Sequence, residues 1–259
     1  MNKEIVSIIQ KDHLYHLMLK GERADGRAFD EFRDISIQTD YIDKAEGSAK
    51  VELGNTKVIV GVKIMPGTPF PDTPDSGVII TSAELIPLAS PEFESGPPRE
   101  NAIEVARVTD RGIRESGAID LKKLCVVEGE KVWMVFIDIH VLDDCGNLMN
   151  VSALGAIAAL LTAKMPKERF GLGEDVPLPI RDIPVSITAV DIGGGILFDP
   201  TIEEENVAEC KLTVIFNQEG AISGMQKSGN GSLTSDQLNS IVEISCKKAQ
   251  EIRKKFLEI

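Results

Sequence analysis

The stretch at 151–164 constrains the fold of this chain more than any other. Ala153, Leu154, Gly155, Ala156, Ile157, Ala158, Ala159 and Leu160 follow one another without a charge. A helix that is apolar all round has no face to offer water and must be buried. Its small side chains imply close approach of another element. Lys164 and Pro166 predict where it ends.

Around that helix the chain reads mainly as strands. Alternating stretches at 35–38 and 48–53, then a more continuous one at 57–64, predict antiparallel strands with Gly54-Asn55 at a hairpin turn. The four prolines of 66–77 predict a loop, and 78–88 returns to strand. A second Pro/Gly loop, SPEFESGPPRE, leads into a helix over 101–117. Strands are expected at 124–127, 132–142, 185–190, 196–198, 208–216 and 222–226, with Gly193-Gly194-Gly195 as a tight turn.

Two further helices bracket these elements. The first covers about 3–19 and carries Ile5, Ile8, Ile9, Leu14, Leu17 and Met18 at helical spacing. The last opens with Thr234 and Gln237 at capping-box spacing. It sets Leu238, Ile241, Ser245, Ala249, Ile252 and Phe256 on one face. Lys247, Lys248, Arg253, Lys254 and Lys255 sit towards its C-terminus, where the helix dipole favours cations. No charged linker or low-complexity segment divides the chain, so 1–259 reads as a single α/β domain of mostly antiparallel pairing.

Composition narrows the function. With 42% hydrophobic and 27% charged residues the chain is ordinary globular material. No apolar run approaches the about 18 residues a membrane span needs. Charges at Lys3, Glu4, Lys11 and Asp12 argue against a signal peptide, so the expectation is a soluble, cytoplasmic protein without a membrane partner. Cysteines at 125, 145, 210 and 246 form neither a zinc pattern nor a disulfide framework and read as buried thiols. A net charge of −13 means that any contact with nucleic acid must be a local basic patch, or one shared with another chain. His13, His16 and His140 have no metal-ligand companions. The three successive glycines lack the strand–GxGxxG–helix setting of a dinucleotide site. No metal, cofactor or catalytic residue is assigned.

Three stretches carry a family resemblance. The first is Arg23-Ala24-Asp25-Gly26-Arg27 followed by Phe32-Arg33-Asp34. The second is Ala102-Ile103-Glu104-Val105-Ala106-Arg107-Val108 with Asp110-Arg111-Gly112-Ile113-Arg114-Glu115. The third is Asp138-Ile139-His140-Val141-Leu142 running into Cys145-Gly146-Asn147. In this order they resemble the RNase PH family, and within it the non-catalytic RNase-PH-like ring subunit of the archaeal exosome. The resemblance implies the RNase PH fold, with duplicated βαβα-like units of the kind also seen in one ribosomal-protein domain. It further implies a trimer-of-heterodimers ring built with a catalytic RNase-PH-like paralogue, RNA-binding cap subunits on one face, and single-stranded RNA as the bound polymer.

Catalytic members of the family cleave RNA from the 3′ end with phosphate. That chemistry needs an anion site, which a helix N-terminus and an arginine fork supply. Where those members carry an acidic residue, two small residues, a hydroxyl and an arginine, this chain has Cys145, Gly146, Asn147, Leu148 and Met149. Leucine and methionine neither donate to phosphate nor neutralise it. Glu100 and Asn101 stand where an RNA-gripping Arg-Arg pair is found, and an acidic residue there repels the RNA backbone. Two catalytic aspartates align near Glu203 and Glu209, although Asp199, Glu203, Glu204 and Glu205 also read as a plain solvated loop.

Arg107, Arg111 and Arg114 remain, at i, i+4 and i+7 on one helical face. The resemblance implies that they touch RNA phosphates in the partner's active site. Pairing of Asp110 with Arg114, Arg111 with Glu115 and Glu104 with Arg107 would instead make an ordinary salt-laced helix. An active homo-oligomeric exoribonuclease and a scaffold with no RNA role are the two rival readings. The Asp25-Gly26-Arg27 turn reads as structural, an Asx-type turn with Gly at positive φ and Arg27 pairing an acidic neighbour.

Overall fold

The structure is a computed structural model; it describes the backbone of residues 3–257 and the side chains of 11–257. Ile5, Ile8 and Ile9 of the first helix therefore lie outside the described side chains. That helix, α1, spans Lys3–Lys20. The first sheet comprises β1 (Ile35–Thr39), β2 (Gly47–Leu53), β3 (Thr56–Gly67), β4 (Val78–Leu85), β5 (Cys125–Val127) and β6 (Lys131–Asp143). Its order is β1-β2-β3-β6-β4, with β5 also on β6. Pairing is antiparallel except between β4 and β6, and α2 (Glu100–Glu115) makes that parallel crossover.

Helix α3 spans Leu148–Thr162, and twelve of its residues, Met149 to Leu160, are buried. A two-residue pair, β7 (Lys164–Met165) with β8 (Val176–Pro177), leads into the second sheet. That sheet holds β9 (Val185–Ile192), β10 (Gly195–Phe198), β11 (Cys210–Phe216) and β12 (Ile222–Ser228) in the order β10-β9-β11-β12, all antiparallel. A short α4 (Ile202–Val207) joins β10 to β11, and α5 (Ser235–Ile252) follows β12.

The all-apolar helix is buried because it packs against both sheets, touching β1, β2, β3 and β6 on one side and β9 on the other. Two glycines, one on the helix and one on β2, permit the close approach. A Cβ at Gly155 would lie 2.7 Å from Val60 Cγ2, and one at Gly47 would lie 2.3 Å from the Ala159 carbonyl. Each Leu or Ile fully buried there contributes about 1.5–3 kcal/mol relative to exposure. Helix α2 touches β4, α3 and β12, so it too spans both sheets.

Several boundaries differ from the sequence reading. Strand β3 runs on through Pro66 and Gly67, which were expected to open a loop. Its pairing with β2 stops at Val62 opposite Gly47, so beyond that point β3 pairs only with β6. Pro66, which lacks an N–H, sits on a locally free edge and interrupts nothing. Helix α3 begins three residues before 151, because Asn147 takes a left-handed conformation (φ 62, ψ 41) that sets the helix start. Strand β4 stops at Leu85, and Leu121–Leu124 form a 3-10 turn ahead of β5. Only Cys210 of the four thiols is fully buried. Arg253 begins a separate π-helical turn after α5, and unlike the exposed Lys247, Lys254 and Lys255 it is buried: its guanidinium donates to the carbonyls of Ile183, Phe216 and Asn217.

Candidate nucleic-acid interface

The acidic run after β10 is not a solvated loop. Asp199 is fully buried at φ 48. Arg33 donates to it from Nη2 at 2.7 Å and from Nε at 2.9 Å, Arg27 from Nη1 at 2.9 Å, and Asn147 from Nδ2 at 2.7 Å. Burial alone would raise the Asp199 pKa, but the bonds and charge of Arg33 outweigh it and hold the carboxyl below its ordinary value. Arg23 grips Glu204 with Nε at 2.9 Å and Nη2 at 2.6 Å. Glu204 in turn closes a capping box with Thr201 at the start of α4.

The arginines of the 23–33 motif thus clamp the β10–α4 corner, and Arg33 also donates to the Cys145 and Gly146 carbonyls before α3. The structural reading of this motif holds in detail. The Arg27 N–H donates to Asp25 Oδ1 at 3.2 Å around Gly26, whose φ is 78.

The start of α3 is where an anion site would lie. There the Asn147 N–H donates to the Glu205 carboxylate at 3.2 Å, and the Gly146 N–H donates to Asp144 at 3.0 Å. Leu148 and Met149 line the same cavity, of about 400 Å³, with Glu92, Glu104, Asp144, Glu205 and Lys211. Lys211 stands 3.6 Å from the Glu205 carboxylate. Burial is the largest influence on Asp144 and Glu205, and both carboxyls titrate above their ordinary range. Four carboxylates and one lysine with an apolar floor repel a phosphate.

Asp144 and Lys211 were not singled out from the sequence, and Glu205 was read there only as part of a solvated loop. Thr201 and Glu204 at capping-box spacing were the available signal that this run is a helix start. The two residues expected at the catalytic aspartates lie elsewhere. Glu203 is exposed and lines a different groove with Asp25, Arg27 and Arg33, while Glu209 accepts a hydrogen bond from Tyr15 of α1.

The arginine stripe lies on the solvent face of α2, and its three members differ. Arg114 pairs with Asp110 at 3.0 Å and donates to the Ile79 carbonyl of the edge strand β4 at 3.2 Å. Arg111 reaches Gln226 on β12, and does not pair with Glu115. Arg107 is exposed and makes no hydrogen bond or ion pair among the described residues, so the expected Glu104 pair is absent there. Arg107 and Arg111 border an open groove of about 500 Å³ with Glu100, Asn101, Ile103, Glu104, Val108 and Gln226.

A buried small-residue helix between two sheets, each carrying further helices, with a helix start facing a cavity at their junction, fits the RNase PH fold class that the sequence motifs resemble. The chain belongs to the 3′ exoribonuclease family: residues 31–166 match the model of its domain 1 and 182–248 that of its domain 2. It is 64% identical over 256 residues to the exosome complex component Rrp42 of Methanocella arvoryzae, covering 99% of this chain and 98% of that protein.

Two solved structures match closely. One is described as the Archaeoglobus fulgidus exosome with RNA bound to the active site, with TM-score 0.95, 54% identity, and coverage of 97% of this chain and 99% of that one. The other is an archaeal exosome core, with TM-score 0.92, 50% identity and full coverage of both chains. Among the described residues no helix is long and apolar enough to cross a membrane.

Proposed function

We propose that this chain is a catalytically silent subunit of an exosome ring, which it builds with a catalytic RNase-PH-like paralogue as a trimer of heterodimers. Its role is to complete the paralogue's active site and help hold single-stranded RNA there, beneath a cap of RNA-binding subunits. Its whole-length similarity to exosome components supports the assembly. One observation carries the silence: the backbone donor at the start of α3 is spent on Glu205, with Leu148 and Met149 beside it. Phosphate cannot displace a resident carboxylate without exposing two like charges to each other.

The RNA role falls to Arg107 and Arg111, which are exposed and without a carboxylate partner among the described residues, and which face open solvent over a groove. They contact backbone phosphates and carry little sequence information. Arg114, already engaged by Asp110 and a strand carbonyl, contributes little.

Release of nucleoside diphosphates from 3′-labelled poly(A), in phosphate and magnesium, tests the reading. The chain alone should release none, and mixing it with the catalytic paralogue should raise the paralogue's activity. Robust phosphate-dependent release by the chain alone would make it the enzyme and sink the proposal.

A further inference from the structure

Arg111 is not simply an exposed side chain; the second sheet holds it. Its stem runs over Gly224 of β12, where an added Cβ would stand 3.5 Å from Arg111 Cδ and 3.7 Å from Cγ. Two residues on, and therefore on the same face of the strand, Gln226 accepts from Arg111 Nη1 at 3.4 Å. The other end of that amide donates from Nε2 to Glu104 Oε1, also at 3.4 Å. The polarity of the amide fits only this way round. A guanidinium can only donate and a carboxylate only accept, so Oε1 must face Arg111 and Nε2 must face Glu104.

Glu104, Arg107 and Arg111 stand at i, i+3 and i+7 on α2, so the carboxylate is within helical reach of Arg107. Yet Arg107 carries no partner among the described residues, while Glu104 is taken by Gln226.

From this geometry we infer that Gln226 is a positioning residue for RNA binding: it steadies Arg111 and keeps the Glu104 carboxylate off the arginines. The inference rests on the reading that Arg107 and Arg111 touch RNA. Its chemistry is that of a neutral bridge between opposite charges. Without the amide, Glu104 is free to pair with Arg107, and Arg111 loses its fixed direction. Both changes lower the positive potential that the groove presents to a phosphate backbone. A strand from the second half of the fold thereby tunes a helix of the first.

Single-stranded RNA affinity of the assembled ring, measured for the wild type, Gln226→Met, Arg111→Ala and the double variant, tests this. Methionine keeps the length and packing of glutamine and removes both hydrogen bonds. Gln226→Met should weaken binding by about threefold to tenfold, the scale of one or two net hydrogen bonds. It should leave the melting temperature and ring assembly as in the wild type. In the Arg111→Ala background the same change should cost clearly less, because the arginine it positions is gone.

If Arg111→Ala weakens binding and Gln226→Met does not, the inference fails while the RNA reading stands. Full additivity of the two changes would equally overturn the positioning role. If neither variant alters affinity, the RNA reading itself fails. Gln226→Glu supplies a second variant of the same size. It puts a carboxylate against Arg111 and should weaken binding further, with a shallower salt dependence. Binding by that variant at wild-type strength would contradict the inference.

Discussion

Asn147 and Glu205 are joined by a hydrogen bond of 3.2 Å, from the backbone N–H before α3 to a side-chain carboxylate of α4. That one bond turns a helix start suited to phosphate into a site already holding an anion. It also predicts how the site responds to repair. Met149→Arg alone should not confer phosphate binding, because the new guanidinium meets the Glu205 carboxylate first. Met149→Arg with Leu148→Ser and Glu205→Gln should bind inorganic phosphate, measured by titration calorimetry. Phosphate binding by Met149→Arg alone would show that Glu205 does not block the site.

Two carboxylates, the buried Asp199 and the half-buried Glu205, should act on stability in opposite directions as pH changes. Asp199 titrates below its unfolded value of about 3.9. Its contribution is therefore present above that pH and is lost as pH falls through the folded value. Glu205 titrates above its unfolded value of about 4.3. It binds its proton more tightly when folded, so it favours the fold at low pH and that contribution is lost as pH rises through the folded value. Asp199→Asn should cost about 3–5 kcal/mol at neutral pH, because Arg27 and Arg33 are left facing a neutral group. Glu205→Gln should flatten the decline that sets in as pH rises above about 4.3. Urea unfolding of both variants from about pH 2 to 8, a window that spans the acid loss at Asp199 as well as the decline at Glu205, checks the signs, and parallel pH profiles for the two would contradict them.

Removing Arg107 and Arg111 together should weaken RNA binding by the assembled ring without disturbing assembly. The slope of log affinity against log salt should shrink by about 1.4, about 0.7 for each single-strand phosphate that is no longer neutralised. Arg114→Ala should leave that slope unchanged and instead loosen the β4 edge, where its guanidinium covers the Ile79 carbonyl. Unchanged RNA affinity in the double variant would sink the RNA role.

What the sequence revealed followed from local pattern. The all-apolar run announced a buried helix, the 234–237 spacing announced a cap, and Gly54 with the three glycines at 193–195 announced turns. At Leu148 and Met149 it was the family resemblance that implied a missing phosphate site, since neither side chain donates to phosphate or neutralises it. The acidic run could not be read correctly from its own neighbourhood. Asp199 and Glu204 are neutralised by Arg23, Arg27 and Arg33, which lie 166 to 181 residues away in the chain. Pro66 misled for a similar reason, since only the register of β2 against β3 shows that its edge is free. The different fates of Arg107, Arg111 and Arg114 depend on β4 and β12, which helical spacing does not report.

The same shared helix bears on cooperativity. One apolar cluster contains Val60 and Ile139 of the first sheet, Leu154 and Ile157 of α3, and Ile187 and Val214 of the second sheet. The expectation is that both sheets unfold in a single transition. Gly155→Val, which would press into Val60, should lower stability by about 1–3 kcal/mol and shift fluorescence and circular-dichroism transitions together. Separate transitions for the two probes would mean that the halves fold independently.

The most direct test of silence uses a ring in which only this chain could act. The catalytic paralogue would carry a substitution of its own phosphate-binding arginine, and phosphate-dependent release of nucleoside diphosphates from poly(A) would be followed. The account predicts no release above background from such a ring, although it still assembles and binds RNA. Sustained phosphate-dependent release would place an active site in this chain and contradict the account.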